Sequence, residues 1–401
     1  MGMILVLNAG SSSVKFALMD LSPSGHEVSL ARGAYDGIGQ NSRWSVKRTD
    51  GQSDENEAIL ATGITTHKDA VARILGWIEA HYGLSELLAA GHRVVHGGAD
   101  FEAPVRLDAT TIAALKKLLP LAPLHQPHNL AAIESLGALA PDLPQIACFD
   151  TAFHTSIPDV ARNFALPRAI TAKGVRRYGF HGLSYQFIAT ELARTAPELA
   201  KGRVVVAHLG NGASLCAMQN GKSIATTMGF SAIDGLMMGT RTGAIDPAVI
   251  FYLMRDEGMS AADVEAMLYH QSGLLGVSGI SSDMRRLRDE MATRPEAREA
   301  VAMFTYRIVR EAGSMIAALG GIDALVFTAG IGEHDASLRA DVVHGLAFAG
   351  FSLDASANTR ETGQISGASG PKAFVIPTNE ELMIARATVA VLTSNPTARP
   401  Q

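Results

Sequence analysis

The sequence predicts an α/β protein of two domains with related topology, and three observations carry that reading. At 401 residues the chain is too long for one compact core. Strand-like apolar runs alternate with stretches of helical period in each half. One segment also occurs twice. Residues 4–20, ILVLNAGSSSVKFALMD, run an apolar strand through a Gly/Ser loop into a second strand, and residues 204–220, VVVAHLGNGASLCAMQN, do the same. At one offset of 200 residues Gly10 falls opposite Gly210, Asn8 opposite His208, and Phe16-Ala17-Leu18 opposite Cys216-Ala217-Met218. A loop between two strands aims several backbone N–H groups into one space, and glycine lets that backbone approach an anion. Either segment alone reads as an ordinary Gly-containing hairpin. As a matched pair they point to two phosphate clamps facing each other across a cleft.

Along the chain, residues 1–20 read as a hairpin and 28–49 as further strands. Residues 68–90 read as a helix, with Val71, Ile74, Leu75 and Ile78 as its apolar stripe. Asp108 caps a helix that runs to Leu119 and ends at Pro120. QIACFDTAFH (145–154) begins as a strand and emerges into a loop at Asp150. Residues 155–180, with Pro158, Pro167 and Gly174, read as the crossing into the second half. A helix over 184–195 leads into the repeated hairpin. Asp246-Pro247 opens a helix to about Glu257, stopped by Gly258. A long helix follows at 294–319, then ALVFTAGIGEH as a third strand-to-Gly-loop unit, and a last helix from Asn379 to Leu392.

Composition narrows the function. Hydrophobic residues make up 47% and charged residues 18%, with a formal net charge of −5. No Lys/Arg block stands out, which argues against nucleic acid and membrane surfaces as partners. No apolar run approaches the ~20 residues of a membrane span. Cys148 and Cys216 lie in strand-like apolar runs and read as buried reduced thiols of a cytoplasmic protein. MGMILVLNAGSS enters a strand with no basic leader, and Val6 breaks the myristoylation pattern at Gly2.

Several residues suggest chemistry. Lys15, on the exit strand of the first loop, suits a phosphate oxygen, although alone it reads as an exposed strand lysine. There is no G-x-x-x-x-G-K-[ST] run and no G-x-G-x-x-G between strand and helix, so P-loop and Rossmann binding are unsupported. Arg93 in GHRVVHGG and Arg241 in MGTRTGAIDP sit among apolar residues and glycines. A planar guanidinium there suits a carboxylate or phosphoryl group, with a carboxylate distant in sequence as the alternative partner. Asp150 ends a strand, where side chains of open α/β sheets face the ligand crevice; a turn cap is its structural alternative. His181, between glycines in YGFHGLS, can stabilise developing negative charge or serve structure alone. Thr378-x-x-Glu381 matches a capping box, which leaves Glu380 as the freer ligand in the first turn of the final helix.

Together these segments resemble the acetokinase (acetate kinase) family of the acetate and sugar kinase/Hsp70/actin superfamily. The matching runs are LNAGSSSVKF, GHRVVHGG, LAPLHQPHN, CFDTAFH, RRYGFHGLSY, AHLGNGASLCA, DGLMMGTRTGAIDP, GISSDMR, TAGIGEH and TNEELMIAR, in the family's order from residue 7 to 386. The resemblance implies two ribonuclease-H-like (actin-like ATPase) domains with a nucleotide cleft between them. The first comprises 1–150 plus the returning helix in 383–401, and the second, 151–382, carries the dimer interface of a homodimer.

The activity implied is reversible Mg-ATP-dependent phosphorylation of acetate to acetyl phosphate. Propionate or another short-chain carboxylate is the alternative acceptor. By resemblance Asn8 and Glu380 belong to the Mg²⁺ site, with Mn²⁺ as an alternative ion, and Lys15 helps hold ATP. Arg93 corresponds to the substrate-carboxylate arginine, Asp150 to the catalytic carboxylate, and His181 and Arg241 to transition-state stabilisers. His208, Leu209, Gly210, Asn211 and Gly212, then Asp283, Met284 and Arg285, then Gly330, Ile331, Gly332, Glu333 and His334 match nucleotide-contacting segments. Val95, Leu124, Phe180 and Ala232 line the acyl pocket, with Arg93 beside them. The chain departs from the family pattern at Ala232, where proline is usual, at Gln126 for Asn, and at Ala244 for an acidic residue.

Overall fold

The computed structural model describes residues 2–21, 27–39, 42–49 and 65–394. Residue 1 and residues 395–401, which the expected first domain includes, lie outside the described residues. The chain divides into two compact units, Met1–Ala152 with Asn379–Gln401, and Phe153–Thr378.

The first unit is built on strands β1 (Met3–Ala9), β2 (Ser13–Leu21), β3 (Glu27–Asp36), β4 (Arg43–Arg48), β5 (Leu87–Val94), β6 (Val105–Arg106) and β7 (Gln145–Phe149). Among the described residues they form one sheet of order β4-β3-β2-β1-β5-β7-β6. β2, β3 and β4 form an antiparallel meander from β1, while β1, β5 and β7 run parallel. Parallel strands collect their carboxyl ends on one edge, which places Asn8, Arg93 and the residue after Phe149 together. Leu5, Leu7, Phe16 and Leu18 alternate onto one face and pack with Val71, Ile74 and Ile78 of the helix His67–His81. The helix Glu380–Ser394 packs on β1, β2, β5 and β7. At Gly91 a Cβ would lie 2.4 Å from Thr388 Oγ1, so helix and strand meet there with no side chain between them.

The second unit repeats the plan with β8 (Arg203–Leu209), β9 (Ala213–Gln219), β10 (Lys222–Thr226), β11 (Ala324–Thr328), β12 (Gly363–Gln364) and β13 (Lys372–Val375). Their order is β10-β9-β8-β11-β13-β12, with β8, β11 and β13 parallel. The long helix Pro295–Leu319 covers β8, β9 and β10. Among the described residues no helix is long and apolar enough to cross a membrane.

The two hairpins differ from the expected repeat by one residue. β1 and β2 pair Asn8 with Lys15 and Ala9 with Val14, whereas β8 and β9 pair His208 with Ser214 and Leu209 with Ala213. The second loop is one residue shorter. By register, Phe16-Ala17-Leu18 therefore correspond to Leu215-Cys216-Ala217, and Lys15 corresponds to Ser214.

Three local expectations are corrected. The helix expected over 68–90 ends at His81; Gly83 at φ +82° breaks it, and Leu87 begins β5, whose apolar run belongs between two parallel strands. AGIGEH is a short helix, Ala329–His334, rather than a loop, entered through Ala329 at φ +63°. The capping box at Thr378 does not form: Asn379 Oδ1 accepts from Leu382 N at 3.1 Å, and the Thr378 hydroxyl donates to Ser184 Oγ.

Candidate active site

At the carboxyl edge of the first sheet, Arg93 near the end of β5 meets Asp150 just beyond β7. Arg93 Nε lies 3.0 Å from Asp150 Oδ1 and Nη2 lies 2.6 Å from Oδ2. Glu380 Oε2 lies 3.9 Å from Arg93 Nε. Arg93 thus has the distant carboxylate partner that the sequence left open as the alternative. Burial works against its charge, but Asp150 and then Glu380 more than offset this and hold its proton more tightly than usual. Burial pushes Glu380 up to about 7 against the pull of Arg93, with the charges of Asp150 and Glu381 adding to the rise and Lys15 opposing it. Lys15 is exposed opposite Asn8 on the hairpin, and the loop between them is fixed by Gly10 N to Ser13 O at 2.8 Å and by His67 Nε2 donating to Gly10 O at 2.7 Å.

Two buried amides tie this edge together. Asn129 donates to Ala9 O and accepts from Val95 N, and Gln126 brackets the backbone of His96 from both amide atoms. The departure at Gln126 is thereby a structural clasp. Val95 is buried and Leu124 half-buried.

In the second unit His181 precedes the helix Gly182–Thr195 at φ +59°. Its Nδ1 lies 2.8 Å from Ser214 Oγ, which also meets the Tyr185 hydroxyl, and its ring stacks on His208 with centroids 4.1 Å apart. His208 Nδ1 is in turn 2.8 Å from Ser184 Oγ. Arg241 Nη1 donates to Ala232 O at 2.6 Å. A Cβ added at Gly212 would sit 2.9 Å from Arg241 Nη2 and 3.2 Å from His181 Nε2. A cationic fork, an imidazole and the glycine-loop backbone therefore converge on one spot. Phe180 is 2% exposed and Ala232 half-buried. Ala244, the third departure, accepts from Arg307 Nη2 through its carbonyl.

Beside that spot lies a cavity of about 860 Å³, walled by Gly210, Asn211, Asp283, Met284, Arg285, Gly330, Ile331 and His334 from the expected nucleotide segments. Asp283 caps the helix Met284–Glu290 through Arg285 N. Other expected residues stand elsewhere. Leu209 is fully buried, His208 faces Ser184, and the Gly332 carbonyl is held by Arg339 Nη1. Glu333 Oε1 accepts from Thr378 N at 3.1 Å. The sequence reading missed Ser282, Arg288, Asp289, Asp335, Ala336 and Ser337 in the wall. Arg288 Nε pairs with Asp335 Oδ2 at 2.9 Å, and Asp335 directly follows GIGEH, the signal that was available.

The donor chemistry fits a hard divalent cation. Asn8, Asp150 and Glu380 offer oxygen ligands, and burial raises the Glu380 carboxyl, with the charges of Asp150 and Glu381 adding to the rise. Among the described residues no group of three or more His, Cys, Asp or Glu side chains forms a metal cage. Mg²⁺ carried chiefly by phosphate oxygens and water, with one or two protein oxygens, requires none.

The profile of the acetokinase family matches residues 3–386. The acetate kinase of Rhodopseudomonas palustris is 53% identical over 389 residues, 96% of each chain. The crystal structure of Porphyromonas gingivalis acetate kinase has TM-score 0.88 and 37% identity, covering 98% of this chain and 100% of that one. A propionate kinase from Francisella tularensis has TM-score 0.90 and 38% identity, covering 96% and 99%. Two actin-like units, a glycine-loop site and a match along almost the whole sequence agree: the chain belongs to the acetokinase family, kinases that transfer phosphate to a carboxylate.

Proposed function

We propose that the protein catalyses reversible transfer of the γ-phosphoryl group of Mg-ATP to acetate, giving acetyl phosphate and ADP. The observation that carries the reading is the convergence of Arg241 Nη2 and His181 Nε2 on Gly212, next to the cavity lined by Gly210 and Asn211. A carboxylate acceptor has a reference pKa of about 4 and is ionised near neutral pH, so the nucleophile needs no general base. The task is to bring two anions together, and phosphoryl transfer is catalysed by positioning and electrostatics. Arg241 and His181 meet charge on the transferring group in this reading, which their approach to Gly212 supports. Arg93 orients the acceptor carboxylate. Asp150, gripped by Arg93 from two nitrogens, orders the metal site rather than taking a proton. Asn8 and Glu380 would hold Mg²⁺, which when bound would supply charge neutralisation on the phosphates. No covalent phospho-enzyme is required.

The second reading, a propionate or short-chain carboxylate kinase, is favoured by Ala232 at a position where the family usually carries proline. The reading includes a homodimer through the second unit, whose helix Pro247–Arg255 leaves Val249, Phe251, Tyr252 and Met254 exposed. The buried free thiols Cys148 and Cys216 support a cytoplasmic location. A coupled assay of ATP consumption with and without acetate, with hydroxylamine trapping of acetyl phosphate, tests the proposal. Equal turnover without any carboxylic acid overturns it.

A further inference from the structure

A buried hydrogen-bonded chain in the second unit ends on the backbone that carries His181. His154 is 2% exposed. Its Nε2 lies 2.9 Å from the Phe180 carbonyl oxygen, and its Nδ1 lies 2.8 Å from Ser223 Oγ. A carbonyl only accepts, so Nε2 carries the hydrogen and the bare Nδ1 accepts from the Ser223 hydroxyl. Ser223 Oγ lies 3.3 Å from Cys216 Sγ, a thiol that burial pushes up to about 12 and that stays protonated to donate. Burial pushes His154 itself down to about 4, the Phe180 bond opposing, so the imidazole is neutral. The polarity is thereby fixed from the Ser223 hydroxyl through the imidazole to the Phe180 carbonyl.

Packing fixes the ring as well. A Cβ at Gly179 would lie 2.6 Å from His154 Cδ2, and Gly179 has φ +75°. The rings of Phe153 and Tyr185 close on His154 edge-on. The next residue but one is His181, in a left-handed conformation that is strained for a non-glycine residue and persists only where surroundings over-determine it.

We propose that His154 is a positioning residue for phosphoryl transfer: by holding the Phe180 carbonyl it keeps His181 left-handed, with the imidazole Nε2 beside Arg241 at Gly212. The inference rests on the reading of His181 as a charge stabiliser in the proposed reaction.

The test compares His154→Phe, which keeps ring volume and loses the donor, with His154→Gln, which restores an amide N–H near Nε2. Since misplacement of about 1 Å costs up to 10²-fold, His154→Phe is expected to lower kcat about 10- to 100-fold. KM for ATP and acetate should change by less than about twofold, the pattern of an interaction made in the transition state. His154→Gln should recover most of the lost kcat. Nitrogen NMR on histidine-labelled, ligand-free protein should show His154 as the Nε2–H tautomer, and the His181 ring signals should shift in His154→Phe. That readout needs no turnover, so it separates this inference from the reaction: wild type without acetate-dependent turnover sinks the reaction alone. Unmoved His181 signals, or His154→Gln losing as much kcat as His154→Phe, overturn the positioning role. If His154→Phe does not fold, His154→Leu decides, since it removes the donor with a smaller apolar side chain. A several-fold loss of kcat with shifted His181 ring signals supports the role, and wild-type kcat or unmoved His181 signals overturn it.

Discussion

Arg93 and Asp150, 57 residues apart, form a two-pronged ion pair in which the Asp150 side chain is 2% exposed. Removing one partner leaves a buried charge uncompensated, which costs about 3–5 kcal/mol. Arg93→Ala should therefore melt well below wild type, in addition to losing about 10²-fold or more in rate. The double variant Arg93→Ala/Asp150→Ala should regain stability without regaining activity. Thermal melts in which the single and double variants coincide would show that the pair carries no structural strain.

Arg241 makes a different demand. One arm donates to Ala232 O at 2.6 Å while the other stands at Gly212. An ammonium cannot do both, so Arg241→Lys should keep most of the roughly 10²-fold kcat loss of Arg241→Ala. Retention of more than about a third of wild-type turnover in Arg241→Ala would make the residue structural.

Gly212→Ala tests the convergence point. The added methyl would lie 2.9 Å from Arg241 Nη2 and 3.2 Å from His181 Nε2, too close for either to stay. The expected outcome is a kcat loss of about 10-fold or more with little change in melting temperature, since crowding misplaces the two groups. A variant with wild-type kcat would mean that both groups give way without consequence.

Proline at Ala232 tests whether this position sets acyl chain length. Proline there would keep the carbonyl that holds Arg241 while restoring volume and a backbone constraint. One methylene in a fitted apolar pocket is worth about 1–3 kcal/mol of discrimination. Wild type should use propionate as well as acetate, and Ala232→Pro should shift kcat/KM toward acetate. An unchanged acetate-to-propionate ratio would assign selectivity to other residues.

Acid should loosen the protein in a defined window. Burial holds His92, His96 and His154 at about 4, against about 6.5 in an unfolded chain. The folded values are depressed, so the unfolded state binds more protons between pH 6.5 and 4, and stability falls as pH drops through that range. At pH 5 each histidine accounts for about 2 kcal/mol. Glu380, raised to about 7, has the opposite sign and offsets part of this in the first unit. The second unit should show His154 most cleanly, as a urea midpoint lower at pH 5 than at pH 7.5 and a smaller drop in His154→Gln.

What the sequence made legible was local. Loop glycines and strand-terminal polar residues announce themselves, because a polar side chain that closes an apolar run marks where the strand leaves the core for the ligand-facing edge. Asn8, Arg93 and Asp150 stand at the ends of adjacent parallel strands in this way. The partner of Arg93 was illegible because pairing across 57 residues is set by the sheet order, not by any neighbouring residue. The overrun of the helix past His81 has a similar cause: LLAAGHRV is apolar enough to continue a helical stripe, and only burial between β1 and β7 makes it a strand. Glu333 shows the same limit: it sits inside a nucleotide-like run, and its Oε1 accepts the Thr378 N–H from 45 residues away.

The one-residue difference between the hairpins has its own consequence. Counted along the chain, Lys15 would answer to Leu215, a core residue with no exposed surface; counted across the sheet, it answers to Ser214, the hydroxyl that steadies His181. The same socket in two copies of one scaffold thus holds a cation in one and an imidazole's anchor in the other. The copies share a frame and have divided the labour, so a graft of one loop onto the other would shift the reading frame of the strand beyond it and turn its side chains to the wrong face.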